Sequence, residues 1–157
     1  MNAQELFFRT IQTGNIENVR LQLQNNPHLV NSEDARGFTP LIFATYFDQE
    51  DIAKLLIENK ANINGTDGSG NTALIGVSFK GNLSLVKLLL DNGANINIQN
   101  NNGTTALNFA TQYNQIEVVK LLLENNADPS IEDAGGKTAL DHARIKGFSD
   151  VAELFNE

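Results

Sequence analysis

The chain has 157 residues, of which 41% are hydrophobic, and this suits one compact domain or one short array of repeats. Nineteen acidic and eleven basic residues give a formal net charge of -8, which disfavours nucleic acid and anionic membrane surfaces as partners. No cysteine is present, so disulfides, thiolate metal sites and a cysteine nucleophile are excluded.

The first residues do not read as an export signal. They carry no basic stretch, and the apolar patch Leu6–Phe8 ends at Arg9. The longest uninterrupted apolar runs, such as Leu88–Leu90, are far too short to cross a bilayer. The sequence therefore predicts a soluble protein that resides in the cytoplasm and makes no membrane contact.

The predicted elements repeat along the chain with a period of 33 residues. Five columns keep this step, and the clearest of them holds the turn glycines Gly37, Gly70, Gly103 and Gly136. A degenerate repeat precedes them, because Gly14 echoes Gly81 at a spacing of 67, one residue more than two periods. The predicted repeats are residues 1–32, 33–65, 66–98, 99–131 and 132–157, the first and last being capping repeats.

Each full repeat predicts the same local structure, beginning with a glycine turn such as residues 34–37. Thr39 can cap the first helix, and Pro40 suits the first helical position because that position needs no N–H donor. A second helix follows, apolar on more than one side. The first helices are predicted to end at residue types that accept a left-handed backbone, namely Asp48, Gly81, Asn114 and Gly147.

Helices this short are marginal alone, and their wide apolar surfaces have to be buried against neighbouring repeats on both sides. A terminal repeat instead shows water one of those faces. Polar residues within both terminal repeats fit this role, including Gln22 and Gln24 at one end and Asp150 and Glu153 at the other. The pattern predicts a complete, capped array.

Two motifs resemble the ankyrin-repeat signature: Asp34-x-x-Gly37-x-Thr39-Pro40-Leu41, and the loop spanning residues 92–97 with its Asn-Gly-Ala-Asn sequence. The resemblance runs from Asp34 to the C-terminus. It implies a single ankyrin-repeat domain over residues 1–157, an all-α solenoid of about five helix-turn-helix repeats with β-hairpin-like finger loops. The chain departs from the family pattern where a histidine usually follows Thr-Pro-Leu, since Ile42 stands there.

The sequence contains few residues arranged for catalysis, metal binding or phosphate binding. The only histidines are His28 and His142, and no metal-binding spacing surrounds either of them. The Gly-Lys-Thr triplet that starts at Gly136 lacks the earlier glycine of a phosphate-binding loop, because Ile131 occupies that position. We expect no catalytic residue, no metal and no cofactor, and hence no enzyme.

The resemblance implies that a partner is held by finger tips and by the exposed flank of the first helices. Phe47 and Tyr113, one residue beyond that flank, fit either the core or the groove. The alternative for the flank residues is packing against neighbouring fingers. The candidate partner-binding residues are Arg36, Phe38, Ser69, Asn71, Asn102, Thr104 and Lys137 in the fingers, and Tyr46, Phe79, Gln112 and Ile145 on the flank.

The leading expectation is a monomeric adaptor, scaffold or inhibitor that binds another protein on its concave face. A self-associating structural module is the alternative, because the stripe of Tyr46 and Phe79 can also supply a contact between two copies. A small-ligand-binding protein or an enzyme is the third reading, and no convergent set of reactive side chains supports it.

Overall fold

The computed structural model describes residues 1–156, which form helices joined by short turns. Within these residues no strand occurs, and one isolated antiparallel bridge joins Thr66 to Thr72. The all-α prediction is confirmed. The first helices are α1 (Ala3–Thr13), α3 (Pro40–Tyr46), α5 (Ala73–Lys80), α7 (Ala106–Gln112) and α9 (Ala139–Lys146); the second helices are α2 (Ile16–Asn25), α4 (Glu50–Glu58), α6 (Leu83–Asp91), α8 (Ile116–Glu124) and α10 (Ser149–Glu153).

The chain divides into two compact units, Met1–Ala73 and Leu74–Glu157. In the N-terminal unit, α1 packs against α2 and α3, and α4 packs against α2 and α3. A 3-10 helix, Pro27–Asn31, follows α2 and buries Leu29 and Val30. This 3-10 helix lies between Gly14 and Gly81, the two glycines whose spacing exceeds two repeat periods by one residue. The largest fully buried side chains of this unit are Phe7, Ile11, Val19, Leu41, Ile52 and Leu56.

In the C-terminal unit, α7 packs against α8 and α9, while α8 also contacts α6 and α10. The last helix, α10, has only five residues and buries Val151, whereas α8 has nine residues. This helix lies in the predicted last repeat, residues 132–157, whose final residue, Glu157, lies outside the described residues. The largest fully buried side chains here are Leu74, Ile75, Leu85, Leu89, Leu107 and Leu122.

Three of the first helices, α3, α7 and α9, begin at threonine caps. Thr39 Oγ1 accepts a hydrogen bond from the backbone N–H of Ile42 at 3.1 Å, and Thr105 and Thr138 do the same in their repeats. Pro40 occupies the first turn of α3. These hydroxyls satisfy one of the N–H groups that a helix start leaves unpaired.

The first helices end at left-handed residues, and the four predicted positions are confirmed. Asp48 has a φ of 56° and Asn114 a φ of 58°, while Gly81 and Gly147 have φ values of 78° and 72°. Gly14 ends α1 in the same conformation, with a φ of 79°. Glycine, asparagine and aspartate enter this region at the lowest cost, which explains the residue types.

Asparagine side chains bind the loops of successive repeats to one another, which accounts for part of the twenty-two asparagines in the sequence. Asn31 Oδ1 accepts from the backbone N–H of Asn62 at 2.8 Å in the N-terminal unit. Asn97 Oδ1 accepts from the N–H of Asp128 at 2.9 Å in the C-terminal unit. The two accepting asparagines, Asn31 and Asn97, are two repeat periods apart in the sequence. Their hydrogen bonds fix the spacing of neighbouring loops.

Side chains of the following repeat also satisfy the C-terminal ends of the first helices. A helix leaves its last four carbonyl groups without an internal partner. Here one of these carbonyls, two residues before the left-handed residue, accepts a hydrogen bond from a long polar side chain of the next repeat. The pairs are Gln49 Nε2 with the Gln12 carbonyl at 3.4 Å, Gln115 Nε2 with the Phe79 carbonyl at 3.0 Å, and Lys146 Nζ with the Gln112 carbonyl at 2.9 Å.

This contact makes Gly81 more demanding than Gly93, another left-handed glycine. A methyl group on Gly81 would overlap the side-chain amide of Gln115, whereas a methyl group on Gly93, with a φ of 85°, would meet no atom within 4 Å. We expect Gly81→Ala to lower the free energy of unfolding by about 2–3 kcal/mol, because it adds loss of the Gln115 bond to backbone strain. Gly93→Ala adds strain alone and should cost about 1–2 kcal/mol.

Urea denaturation of both variants measures the difference. Equal losses of stability in Gly81→Ala and Gly93→Ala would show that the Gln115 contact contributes nothing.

Candidate functional site

The carboxylate of Asp34 fixes the turn at residues 34–37. Its Oδ1 accepts hydrogen bonds from the backbone N–H groups of Arg36 and Phe38, both at 2.9 Å. Its Oδ2 pairs with Nη2 of Arg36 at 3.1 Å. The guanidinium carbon of Arg36 lies 4.6 Å from the centroid of the Phe38 ring, in a cation–π arrangement. Arg36 is exposed and Phe38 half-buried, so both reach the surface in a fixed position.

Asp67 holds the next turn in the same way. Its Oδ1 accepts from the N–H of Ser69 at 2.8 Å and from the N–H of Asn71 at 2.9 Å. Ser69 is exposed and Asn71 is half-buried. Both predicted residues therefore reach the surface of a turn whose backbone is fixed by one carboxylate.

Tyr46, at the end of α3, is 59% exposed although the six residues before it in the helix are buried. Its ring lies 5.0 Å from that of Phe47, and Phe47 lies 4.9 Å from the buried Phe43. Phe47 is half-buried, so it occupies both environments that the sequence left open. Tyr46 is thus the exposed end of an aromatic row that is anchored in the core.

A cleft of about 520 Å³ opens between α1 and the turn at residues 33–36. Phe8 and Phe43 form its apolar floor, with their rings 5.2 Å apart. Arg9 and Arg36 line it beside acidic residues that include Glu33. The charges in the lining are mixed, so the cleft has no preference for one sign of ligand.

In the C-terminal unit, Asn100 takes the place of the turn aspartate. Its Oδ1 accepts from the N–H groups of Asn102 and Thr104 at 2.9 and 3.0 Å. The backbone carbonyl of Asn102 accepts from the N–H of Ala134 at 2.9 Å, which joins this turn to the next. Asn102 is exposed, as predicted for a turn tip.

The expectation that Thr104 lies at the surface was wrong. Thr104 is only 7% exposed. The neighbouring turn is bonded to this one, and the Gln99 side chain donates to the carbonyls of both Gly103 and Glu132, at 2.9 and 3.0 Å. These contacts close the turns over Thr104, which is therefore not available to a partner.

The last turn contains Asp133 and Lys137, and His142 of α9 contacts it. Asp133 Oδ1 accepts from the N–H of Lys137 at 3.0 Å, and its Oδ2 lies 2.6 Å from Nε2 of His142. His142 is thus placed to hold the turn against α9. Lys137 is exposed, as predicted.

Three aromatic rings form a cluster at the ends of α5 and α7. The Phe79 ring lies 4.4 Å from Tyr113 and 5.7 Å from Phe109, in edge-to-face arrangements. Phe79 is 41% exposed and Tyr113 is 50% exposed. Lys146 Nζ lies 5.3 Å from the Tyr113 ring. The cluster therefore presents aromatic edges beside a cation.

Two other flank residues lie in this unit. Ile145 is 65% exposed at the end of α9, and Gln112 is half-buried at the end of α7. The backbone carbonyl of Gln112 is the acceptor of the Lys146 bond described above. Of the four flank residues predicted, Tyr46, Phe79 and Ile145 are well exposed.

Sequence reasoning did not place Tyr113 and Lys146 in the candidate site. Both belong to the column one residue beyond the predicted flank, together with Phe47 and Lys80. The signal was available, because this column holds only aromatic and basic side chains in the repeats. What the sequence did not reveal was the direction of each ring relative to its neighbours.

Gly76 is a further unanticipated feature. It lies in the interior of α5 and is exposed, and a methyl group placed on it would meet no atom within 4 Å. A helical glycine destabilises a helix by about 0.5–1 kcal/mol relative to alanine. Neither crowding nor a left-handed backbone requires glycine here.

Charge is distributed unequally between the helices of the C-terminal unit. The second helices α6, α8 and α10 contain two basic and five acidic residues. The first helices α5, α7 and α9 contain three basic residues, Lys80, Arg144 and Lys146, and one acidic residue, Asp141. Asp141 accepts a hydrogen bond from the N–H of Thr138 at 2.9 Å and so belongs to the cap of α9. The first helices are thus a basic region of an acidic protein.

Metal-binding clusters and membrane-spanning helices are absent from the part of the chain that the structure describes. Among residues 1–156, no three histidine or acidic side chains converge on a position where a metal ion could bind. No helix in the same part of the chain has both the length and the apolar character needed to cross a membrane.

Comparison with known protein families identifies the repeat. The family described as "Ankyrin repeats (3 copies)" matches residues 6–100 and residues 74–157. The chain therefore belongs to the ankyrin-repeat family. A comparison with curated proteins finds no match. Ankyrin repeats generally mediate protein–protein interaction, and the family is generally non-catalytic.

The contacts of Asp133 predict a specific dependence of stability on pH. Partial burial alone raises the pKa of Asp133, but hydrogen bonds from His142, Lys137 and Gly135 outweigh it and hold the pKa below its ordinary value. A carboxylate with a lowered folded-state pKa stabilises the fold above its unfolded pKa, about 3.9. This stabilisation is lost as the pH falls through the folded-state pKa.

Asp133→Asn should therefore flatten the loss of stability below about pH 4, because an amide does not titrate there. The amide oxygen can still accept the backbone hydrogen bonds, as that of Asn100 does. Urea denaturation across the acid range measures the profile. Glu132→Gln, at the exposed neighbouring position, is the control and should follow the unsubstituted protein. Parallel profiles for all three proteins would contradict the assignment.

Proposed function

We propose that this chain is a non-catalytic protein-interaction module that acts as an adaptor, scaffold or inhibitor. The observation that carries the proposal is a recurring exposed position at the ends of the first helices. Tyr46, Phe79 and Ile145 occupy it, and each is a large side chain that lies well exposed. Large apolar residues at exposed positions supply most of the energy of protein interfaces when a partner covers them.

The turns support the same proposal. One acidic or amide side chain fixes the backbone of each turn, through the contacts of Asp34, Asp67, Asn100 and Asp133 described above. The residues between these anchors differ from turn to turn. A rigid backbone with variable side chains lets a surface select a partner without a large ordering cost. We propose as turn residues of the surface Arg36, Phe38, Ser69, Asn71, Asn102 and Lys137, and we add Gln112 of α7 to them.

We further propose that the protein is a cytoplasmic monomer. The sequence without cysteine fits a compartment where disulfides do not form. The net charge of -8 disfavours association between identical copies through general repulsion.

Affinity capture followed by mass spectrometry tests the proposed surface. The combined variant Tyr46→Ala, Phe79→Ala, Ile145→Ala should lose specific partners by about tenfold or more, since side chains of this kind often contribute over 1 kcal/mol each. The matched control is Leu21→Ala with Leu83→Ala, which removes exposed apolar side chains from the second helices α2 and α6. Circular dichroism should show the same helix content in all three proteins.

Unchanged capture by the triple variant, or equal loss in the control, would contradict the proposed surface. Sedimentation at several protein concentrations tests the alternative. A mass that rises with concentration in the unsubstituted protein, but not in the triple variant, would show that the surface joins two copies of the chain.

A further inference from the structure

Gly76 leaves a bare stretch of helix in α5. The corresponding positions of repeats 33–65, 99–131 and 132–157 hold Phe43, Phe109 and His142, each with a ring. In α5 the glycine is exposed, and the space that a side chain would fill is open. Glycine in such a place allows another chain to approach the backbone closely. The loss of helix propensity therefore has a reason if a partner occupies the space.

The surroundings of Gly76 are apolar on one side. Phe79 lies three residues further along α5, so the two residues are neighbours on the same helical face. Phe109 and Tyr113 extend this side, with their ring centroids 6.2 Å apart and both rings in contact with Phe79. A bulky apolar side chain seated beside Gly76 would cover the exposed edges of these rings.

Lys146 adjoins the rings, and Lys80 lies four residues beyond Gly76 on the same face of α5. Lys80 follows Phe79 and is exposed. Lys146 is exposed as well, and its donors exceed the single bond that it makes to the Gln112 carbonyl. The only acidic residue of the three first helices, Asp141, is committed to the cap of α9. The region thus attracts carboxylates, although the whole protein is acidic.

We infer that the surface formed by Gly76, Phe79, Lys80, Phe109, Tyr113 and Lys146 receives an acidic segment of the partner protein. The segment places one bulky apolar side chain against Gly76 and its carboxylates against the two lysines. This inference rests on the proposed function and adds the chemistry of the partner to it.

Peptide selection on the full-length protein tests this assignment directly. The probe is a library of random peptides displayed on phage, and the enriched sequences are then synthesised and titrated by calorimetry. We expect enrichment of Asp or Glu next to Leu, Ile, Phe or Trp. Binding should weaken with rising salt, because the lysines and carboxylates lie at the surface.

The variant Gly76→Leu distinguishes binding lost because the site is filled from binding lost because the protein unfolds. It fills the open space, so it should weaken peptide binding about tenfold or more. It also replaces a helical glycine by a strong helix former, so the melting temperature should rise by about 2–3 °C. A variant that is more stable but binds less tightly cannot be explained by unfolding.

A pair of lysines gives the matched test of charge. Lys80 lies in α5 and Lys87 in α6 of the same repeat, and both are exposed. Lys80→Glu should weaken binding of the acidic peptide about tenfold, whereas Lys87→Glu should change it about twofold or less. Both variants alter the net charge equally, so a difference between them reports position.

Three results would overturn the inference: enrichment of basic peptides or of none, unchanged binding by Gly76→Leu, or equal effects of the two lysine variants. Concentration-dependent dimerisation that Gly76→Leu abolishes would also overturn it, because the occupant would then be a second copy. If a captured partner protein is lost from the triple alanine variant but binds Gly76→Leu normally, the inference fails and the proposed function stands. If both variants capture it normally, both fail.

Discussion

The structure depends on one constraint: its helices are too short to be stable alone. The helices α3, α5, α7 and α9 have seven or eight residues, about two turns each. Such helices do not form enough internal hydrogen bonds to offset the entropy lost on ordering. They are stabilised here by burial of apolar side chains against adjacent helices, and by polar side chains that reach from one repeat to the terminal carbonyls of another.

The same constraint leaves particular surfaces exposed. Within each compact unit, the sides of the helices are used for packing, while the turns and the last residues of the first helices project beyond it. The carboxylates and amides that fix these turns are buried or half-buried, whereas turn side chains such as Arg36, Ser69 and Asn102 are exposed. The binding surface that we propose thus arises from the requirements of repeat packing, and we assign its specificity to side chains that contribute little to the fold.

Local chemistry explains what the sequence could predict. Threonine caps, Pro40 and the left-handed positions at Asp48 and Asn114 follow from the hydrogen-bonding and backbone preferences of single residues, so their positions were predicted correctly. The apolar columns likewise identify the buried face of each helix. These signals recur every 33 residues, so the same single-residue preferences predict the same caps in several repeats.

Features that depend on neighbouring repeats were less predictable. Thr104 is buried because an adjacent turn and the Gln99 side chain cover it, and no single-residue preference signals this. The openness around Gly76 likewise follows from side chains that do not reach it. Asn108 is buried within α7, and its Oδ1 accepts no hydrogen bond from the part of the chain that the structure describes. Isoleucine occupies the corresponding position in two other repeats, so the repeat pattern did not predict an unsatisfied polar group there.

The most direct measurement of the central claim is the circular dichroism of a peptide comprising residues 99–131, compared with that of the whole chain. If helices depend on neighbouring repeats, the isolated peptide is unfolded in water, whereas the whole chain gives a helical spectrum and a cooperative thermal transition. A helical peptide with its own cooperative transition would show that one repeat is stable alone and would contradict the account.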